Sequence, residues 1–115
     1  MNDADQIEVT METVDGTTIL RPKGEIDLSR APSLRTQINA AQKTKPAKLI
    51  IDLGHVPYMD SSGVATLVEA MQIARRSGTR IILCAMQERV QSIFEIARLD
   101  MVFTIVGSSD DALAV

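Results

Sequence analysis

The residues best suited to chemistry in this chain are two adjacent serines, Ser61 and Ser62, set between Asp60 and Gly63. An apolar run ends shortly before them and a helical pattern begins at them, which indicates a loop between a strand and a helix. Asp and Ser favour helix starts, because their side-chain oxygens accept hydrogen bonds from backbone N–H groups that lack intrahelical partners. Such a helix end also accommodates added negative charge. The block is therefore either a simple helix cap or a serine that can be phosphorylated without loss of the fold.

A serine hydrolase is the sharpest enzymatic alternative, since it too places a serine between a strand and a helix. The block lacks the first glycine of a nucleophile elbow, and the only histidine, His55, precedes Ser61 by six residues. We interpret His55 as an exposed loop residue, because it can reach solvent as easily as the hydroxyl. Without a nucleophile paired to a base, the sequence favours a binding module over an enzyme.

No cofactor or metal site is indicated by the remaining polar residues. The glycines form neither a dinucleotide fingerprint nor a phosphate loop. Asp27, Asp52 and Asp60 could be interpreted as a magnesium-binding trio, but they are scattered, and we expect Asp52 to contact the turn after its strand. Cys84 lies inside an apolar run and is interpreted as a small buried hydrophobic residue. One cysteine with one histidine is not a plausible zinc set.

Composition narrows the classes of function further. With 115 residues, 45% apolar and 23% charged, the chain fits one domain over residues 1–115, in which we expect residues 1–5 to be flexible. Few aromatics, scattered basic residues and a net charge of −3 argue against a nucleic-acid partner. The acidic N-terminus is unlike a secretory signal, and no apolar run is long enough to span a membrane. We therefore expect a cytoplasmic protein without membrane insertion.

The elements that must position the serines begin with a predicted hairpin. Residues 7–12 alternate apolar and polar side chains, which is typical of a half-buried strand. Asp15-Gly16 predicts a tight turn, and residues 18–23 form a returning strand. Within it Pro22 lacks a backbone donor and indicates an unpaired position or an edge.

Strands and helices alternate after the hairpin. Apolar runs predict three further strands, over residues 48–53, 79–85 and 101–106. Helical spacing predicts four helices, from a cap at Ser29 to about 42, from the serines to about 76, from about 87 onward, and over 110–113 with Ser108 as cap. The third helix should bury one face, made of Val90, Ile93, Phe94 and Ala97.

The order of elements predicts the fold class. Helices between strands require crossover connections, so we predict an α/β domain with a mixed, mostly parallel five-stranded sheet, about four helices and an N-terminal β-hairpin. Right-handed crossovers place the loop over residues 24–27 and the block over residues 60–63 at the carboxyl edge of the sheet. Sites in open α/β sheets tend to occupy that edge.

Several stretches of the chain carry a resemblance to a known family. They are Gly24-Glu25-Ile26-Asp27, Ala31-Pro32-x-Leu34-Arg35, the run from Ile50 to Gly63 that ends in Tyr58-Met59-Asp60-Ser61-Ser62-Gly63, and Val90-x-x-Ile93-Phe94-Glu95. In this order and over nearly the whole chain they resemble the anti-sigma factor antagonist family, the stand-alone STAS domains. The resemblance implies a single STAS-like domain.

The resemblance also implies a mechanism. A member of this family binds an anti-sigma factor that is also a serine kinase, and binding frees the sigma factor for transcription. The kinase inactivates its antagonist by phosphorylating the first serine of the block, Ser61 here with Ser62 as the alternative, and a PP2C-type phosphatase reverses the modification. The residues that the resemblance assigns to partner binding are Glu25, Asp27, Tyr58, Asp60, Ser62, Gly63 and Val64.

Two departures and one alternative accompany the resemblance. Many relatives have a glycine where this chain has Ala65, and a glycine commonly precedes Leu99 where this chain has Arg98, which puts partner fit and the end of the third helix in question. The alternative function is an accessory STAS subunit of a membrane transporter, such as an ABC-type lipid transporter, or another signalling scaffold. The intact Ser61 favours regulation.

Overall fold

A five-stranded mixed sheet forms the centre of the structure, a computed structural model that describes residues 3–115. The strands are β1 (Glu8–Val14), β2 (Thr17–Lys23), β3 (Lys48–Asp52), β4 (Arg80–Cys84) and β5 (Thr104–Val106). They lie side by side in chain order, with β1 and β2 antiparallel and the other neighbours parallel. The predicted mixed sheet with its N-terminal hairpin is confirmed. The expected flexibility of residues 1–5 falls partly on residues 1 and 2, outside the described range, and stays a prediction.

In the described part of the chain four α-helices accompany the strands, as predicted. They are α1 (Ala31–Lys43), α2 (Ser61–Ser77), α3 (Glu88–Ile96) and α4 (Ser109–Ala114). The main core joins one face of the sheet to α1, α2 and α3, with Leu34, Leu67 and Phe94 fully buried. A smaller cluster on alternate strand positions packs against α4 and consists of Ile19, Ile50, Ile82, Cys84 and Ala112. Both faces of β3 are covered, which agrees with the apolar side chains that this strand carries on both faces.

The hairpin forms through the predicted turn. Asp15 and Gly16 have φ angles of 48° and 79°, and two consecutive positive φ values match the right-handed twist of the flanking strands. The half-buried pattern of β1 fades along the strand, since Val9 packs on the core whereas Met11 is exposed. Within residues 3–115 strand β1 is an edge strand that pairs with β2 alone, which explains the difference. Pairing of β2 with β3 stops two residues before Pro22.

Two sequence predictions about element starts and one about helix burial need correction. Helix α1 begins at Ala31 after Arg30 and not at a Ser29 cap, because the Asp27 carboxylate takes the N–H groups of Ser29 and Arg30. Strand β5 begins at Thr104 and not at residue 101, because residues 99–101 form a 3₁₀ turn. The third correction concerns α3, where Val90 and Phe94 are buried but Ile93 is only half-buried and Ala97 is exposed.

Candidate functional site

Two loops meet at the carboxyl edge of the sheet, as the predicted topology requires. The loop after β2 pairs with the loop between β3 and α2 through an isolated parallel bridge between Ile26 and Met59. The backbone N–H of Ile26 donates to the Tyr58 carbonyl at 3.0 Å, and the N–H of Asp60 donates to the Ile26 carbonyl at 3.0 Å. These hydrogen bonds continue the parallel pairing of β2 with β3 beyond the strand ends. They also fix the position at which α2 starts.

Close packing beneath these loops requires a glycine at position 63. Ile26 and Met59 are fully buried, and a Cβ atom on Gly63 would lie 2.9 Å from Ile26 Cγ2 and 3.0 Å from Met59 Cβ. Contacts that short do not occur without displacement of a neighbour, so any larger residue would push α2 away from the loop after β2. Gly63 is buried, so any effect of this residue on partner binding would come from the position it gives to α2.

Asp60 is the N-cap of α2. Its Oδ1 accepts from the Ser62 N–H at 2.9 Å, the Gly63 N–H at 3.3 Å and the Ser62 hydroxyl. Its Oδ2 accepts from the Leu28 N–H at 3.2 Å and so connects the cap to the neighbouring loop. The Ser62 hydroxyl, followed by the backbone donors, lowers the pKa of the Asp60 carboxyl below its usual value. The predicted cap is confirmed, and this carboxyl is ionised at neutral pH.

The two serines differ in surroundings. Ser61 is the first residue of α2 and is exposed, and within residues 3–115 its hydroxyl takes part in no hydrogen bond. Ser62 is half-buried and its hydroxyl donates to Asp60. Ser61 is therefore the more exposed of the two serines, and its hydroxyl, unlike that of Ser62, is not engaged in the cap.

A second carboxylate, Asp27, lies on the loop that contacts Asp60. Its Oδ1 accepts from the Ser29 hydroxyl at 2.8 Å and from the N–H groups of Ser29 and Arg30 at 3.1 and 3.0 Å. The Ser29 hydroxyl and then the Arg30 N–H lower the pKa of this carboxyl. Exposed Glu25 lies two residues earlier, and the Arg30 guanidinium, which donates to the Glu25 carbonyl at 3.3 Å, adds a positive charge to the same loop.

Asp52 does not join the other two carboxylates of the proposed magnesium trio. Its Oδ2 lies 3.4 Å from Arg21 Nε, and its Oδ1 accepts from the Gly54 N–H at 2.9 Å, which confirms the expected contact with the following turn. In the described part of the chain, no group of three or more His, Cys, Asp or Glu side chains could hold a metal ion.

His55 and Cys84 take the places that the sequence predicts. His55 is exposed, and in the range 3–115 no hydrogen bond joins its imidazole to Ser61. Cys84 is fully buried, and burial, followed by the nearby Asp52 charge, raises the pKa of its thiol to about 12.

An apolar groove of about 470 Å³ lies beside Ser61, between α2 and α3. It is lined by Tyr58, Met59, Asp60, Ser61, Val64, Ile93 and Ala97. At its Tyr58 side the guanidinium carbon of Arg89 lies 4.9 Å from the centre of the Tyr58 ring, a cation–π contact. The structure thus brings Tyr58, Asp60 and Val64 of the predicted partner-binding set to one surface.

Sequence reasoning missed the contribution of α3 to this surface. Ile93 and Ala97 were predicted to be core residues, and Arg89 was not identified at all. The spacing of α3 gave no signal of this, because Val90, Ile93, Phe94 and Ala97 fall at i, i+3, i+4 and i+7, which is one stripe of a helix.

Comparison with known proteins assigns the chain to a family. A STAS domain model matches residues 8–112. The anti-sigma-B factor antagonist of Listeria monocytogenes is 33% identical over 82 residues, 71% of this chain and 72% of that protein. The anti-sigma-F factor antagonist RsfB of Mycobacterium tuberculosis is 28% identical over 113 residues, 98% of this chain and 92% of that protein.

A solved structure agrees with these sequence matches. An anti-sigma factor antagonist from Mycobacterium paratuberculosis superposes with a TM-score of 0.88 at 27% identity, over 99% of this chain and 97% of that one. Among the helices of residues 3–115, none has the length and hydropathy to cross a membrane. The fold, the matching model and the relatives place the chain in the STAS domain family, together with the anti-sigma factor antagonists.

Proposed function

We propose that this protein is an anti-sigma factor antagonist whose partner, an anti-sigma factor with serine kinase activity, phosphorylates Ser61. In the unphosphorylated form the surface around Ser61 binds the kinase and the sigma factor is released. Phosphorylation abolishes binding, and a PP2C-type phosphatase restores it. The protein acts by binding and is not itself an enzyme.

The observation that carries the proposal is the exposed, unbonded hydroxyl of Ser61 at the first position of α2. A kinase needs an accessible hydroxyl, and Ser61 offers one without breaking any bond of the cap. Ser62 is disfavoured as the acceptor because its hydroxyl already donates to Asp60 and supports the cap. Family membership supports the identity of the partner.

In the free protein a phosphate on Ser61 should be tolerated. It adds about −1.5 to −2 charges, and it meets the N-terminus of α2, which stabilises a nearby anion by ~0.3–1 kcal/mol. Repulsion from Asp60 and Asp27 acts in the opposite direction, but the group is solvated and screened. The two effects are of similar size, so the phosphorylated domain should remain folded.

In the complex the same phosphate has a much larger effect. An interface that fits a neutral hydroxyl offers no partner to a dianion, and an unpaired buried charge costs about 3–5 kcal/mol. Since ~1.4 kcal/mol corresponds to a factor of ten, affinity should fall by two to three orders of magnitude or more. The switch depends on this difference between the free and bound states.

The test is a Ser61→Asp variant measured against the anti-sigma factor kinase encoded in the same genome. We expect the variant to keep its circular dichroism spectrum and to lose at least 10²-fold in affinity by titration calorimetry, whereas Ser61→Ala should bind and resist phosphorylation. Ser109→Asp is the matched control, because Ser109 is the first residue of α4 on the opposite face of the sheet. Its affinity should be unchanged.

Three outcomes would contradict the proposal. Unchanged affinity of Ser61→Asp would remove the switch. Phosphate mapped to Ser62 by mass spectrometry would show that the acceptor is the neighbouring hydroxyl. Recovery of a membrane ATPase and no kinase in a pull-down would favour the accessory transporter subunit instead.

A further inference from the structure

The groove between α2 and α3 is open to solvent and its apolar lining is only partly used by the fold. Tyr58, Val64 and Ile93 are half-buried and Ala97 is exposed. Helix α3 has two buried residues, Val90 and Phe94, which attach it to the core. The groove side of α3 is thus an apolar surface without an occupant inside residues 3–115.

The shape and chemistry of the groove fit another protein's side chains. Its volume of about 470 Å³ is ample for one or two large apolar side chains. Apolar surface with polar groups along its rim is characteristic of interaction sites. An apolar residue projecting from a partner helix is the occupant that such a groove commonly accepts.

The position of Ser61 identifies the occupant. Ser61 lines the groove, and a kinase that phosphorylates its hydroxyl must bring a phosphate donor within bonding distance of it. That approach covers the adjoining groove, since the two surfaces share residues. No separate partner is needed to account for the exposed apolar lining.

Charges at the rim add a second requirement. Arg89 lies over the Tyr58 ring and has no ion-pair partner among the described residues, while Asp60 lies at the Ser61 side. A partner that fits both would carry an acceptor, such as a carboxylate, facing Arg89 and a cationic or donor group facing the acidic cap. The apolar side chain would enter between them.

We propose that the anti-sigma factor kinase inserts an apolar side chain into this groove and that Ile93 of α3 is a specificity-determining contact for it. The inference rests on the proposed function and extends the binding surface from the N-terminus of α2 to α3. It assigns Ile93 and Ala97 to partner binding, in addition to the residues around Ser61.

The test compares two isoleucines of the same helix. Ile93→Glu places a carboxylate in the groove, whereas Ile96→Glu makes the same change at a side chain that is 85% exposed and outside the groove. With the purified kinase that binds the wild-type protein, we expect Kd to rise at least 30-fold for Ile93→Glu and less than threefold for Ile96→Glu. Ile93→Ala, which adds no charge, should raise Kd about five- to tenfold. Thermal melts of all three variants check that they are folded.

The outcomes separate this inference from the proposed function. If Ser61→Asp loses binding while Ile93→Glu binds like wild type, the groove assignment is overturned and the phosphorylation switch stands. Equal losses for Ile93→Glu and Ile96→Glu would also overturn it, because they would reflect charge alone. A dimer in light scattering that Ile93→Glu dissociates would assign the groove to a second copy. A wild-type protein that neither binds nor is phosphorylated by the kinase would overturn both.

Discussion

The neighbouring polar residues of the serine block have different roles because the Asp60 carboxylate binds some of them and not others. Asp60 accepts the Ser62 hydroxyl and two N–H groups of the first turn of α2, which leaves Ser61 as the free hydroxyl. The same carboxylate holds the Leu28 N–H of the adjacent loop. One residue thus caps the helix, selects the exposed serine and joins the two loops of the candidate site.

Replacement of Asp60 should expose this role through its dependence on pH. The Ser62 hydroxyl and then the backbone donors hold the folded-state pKa of Asp60 below that of an ordinary aspartate, so its ionised form stabilises the fold above the unfolded-state pKa and the contribution is lost as pH falls through the folded-state pKa. At pH 7, Asp60→Ala should lower the free energy of unfolding by about 0.5–2 kcal/mol, the usual effect of losing an N-cap. Urea titrations at pH 7 and pH 3 measure it.

The matched variant for this prediction is Asp60→Asn. An amide oxygen can still cap the helix, so Asp60→Asn should keep most of the stability at pH 7 and remove the acid-dependent part. A deficit of Asp60→Ala that is the same at both pH values would show that ionisation of Asp60 does not stabilise the helix.

At the scale of elements, the end of α3 explains one departure from the family pattern. The helix ends at Ile96, and Arg98, two residues later, adopts the left-handed conformation with a φ of 59°. The family resemblance predicts a glycine there, and glycine enters this region without a steric penalty. The arginine leaves the helix end in place, at the cost of backbone strain.

Arg98→Gly should therefore stabilise the protein. Relief of a left-handed residue gives roughly 1–2 kcal/mol, and the greater freedom of glycine in the unfolded chain offsets about 0.5–1 kcal/mol of it. We expect a net gain of about 0.5–1 kcal/mol in urea unfolding. Arg98→Ala removes the same guanidinium without relieving the backbone, so an equal gain in that variant would assign the effect to the side chain.

The predicted and observed elements differ where tertiary contacts outweigh local pattern. Helix α2 and its cap follow from the sequence because Asp60 and Gly78 mark its two ends locally. The predicted start of α1 was wrong because Ser29 does not cap the helix. The Asp27 carboxylate instead accepts hydrogen bonds from the N–H groups of Ser29 and Arg30. The groove was missed because periodicity marks Ile93 as apolar without showing what it faces.

The whole molecule has unequal layers on the two faces of its sheet. Three helices cover one face, whereas the cluster on the other face packs against the single short helix α4 through Ala112. Cys84 lies in that cluster and is fully buried. Access to its thiol therefore reports how firmly α4 is attached.

Thiol labelling with a disulfide reagent at pH 8 should be slow in the native protein. The pKa of Cys84 is raised to about 12, so the reactive thiolate is scarce in the folded state, and labelling needs local opening. We expect a rate at least about 10²-fold below that of the urea-unfolded chain, where the ordinary thiol pKa applies.

Detachment of α4 should remove this protection. Ala112→Asp places a charge against the apolar cluster and should accelerate labelling well below the unfolding midpoint, while Ala114→Asp makes the same change at an exposed site of α4 and should not. Equal rates for the two variants would mean that α4 does not shield Cys84.

The order of elements, the class of the sheet and the residues of the serine block could all be predicted from the sequence. Those features depend on hydrophobic period, caps and turn residues, whose effects act within a few positions. Three features became known from the folded chain alone: Ser61 is more exposed than Ser62, Ile93 lines the groove, and Gly63 packs against Ile26 and Met59. These features depend on packing between segments that are distant in sequence, and the spacing of neighbouring residues does not show which distant segments pack together.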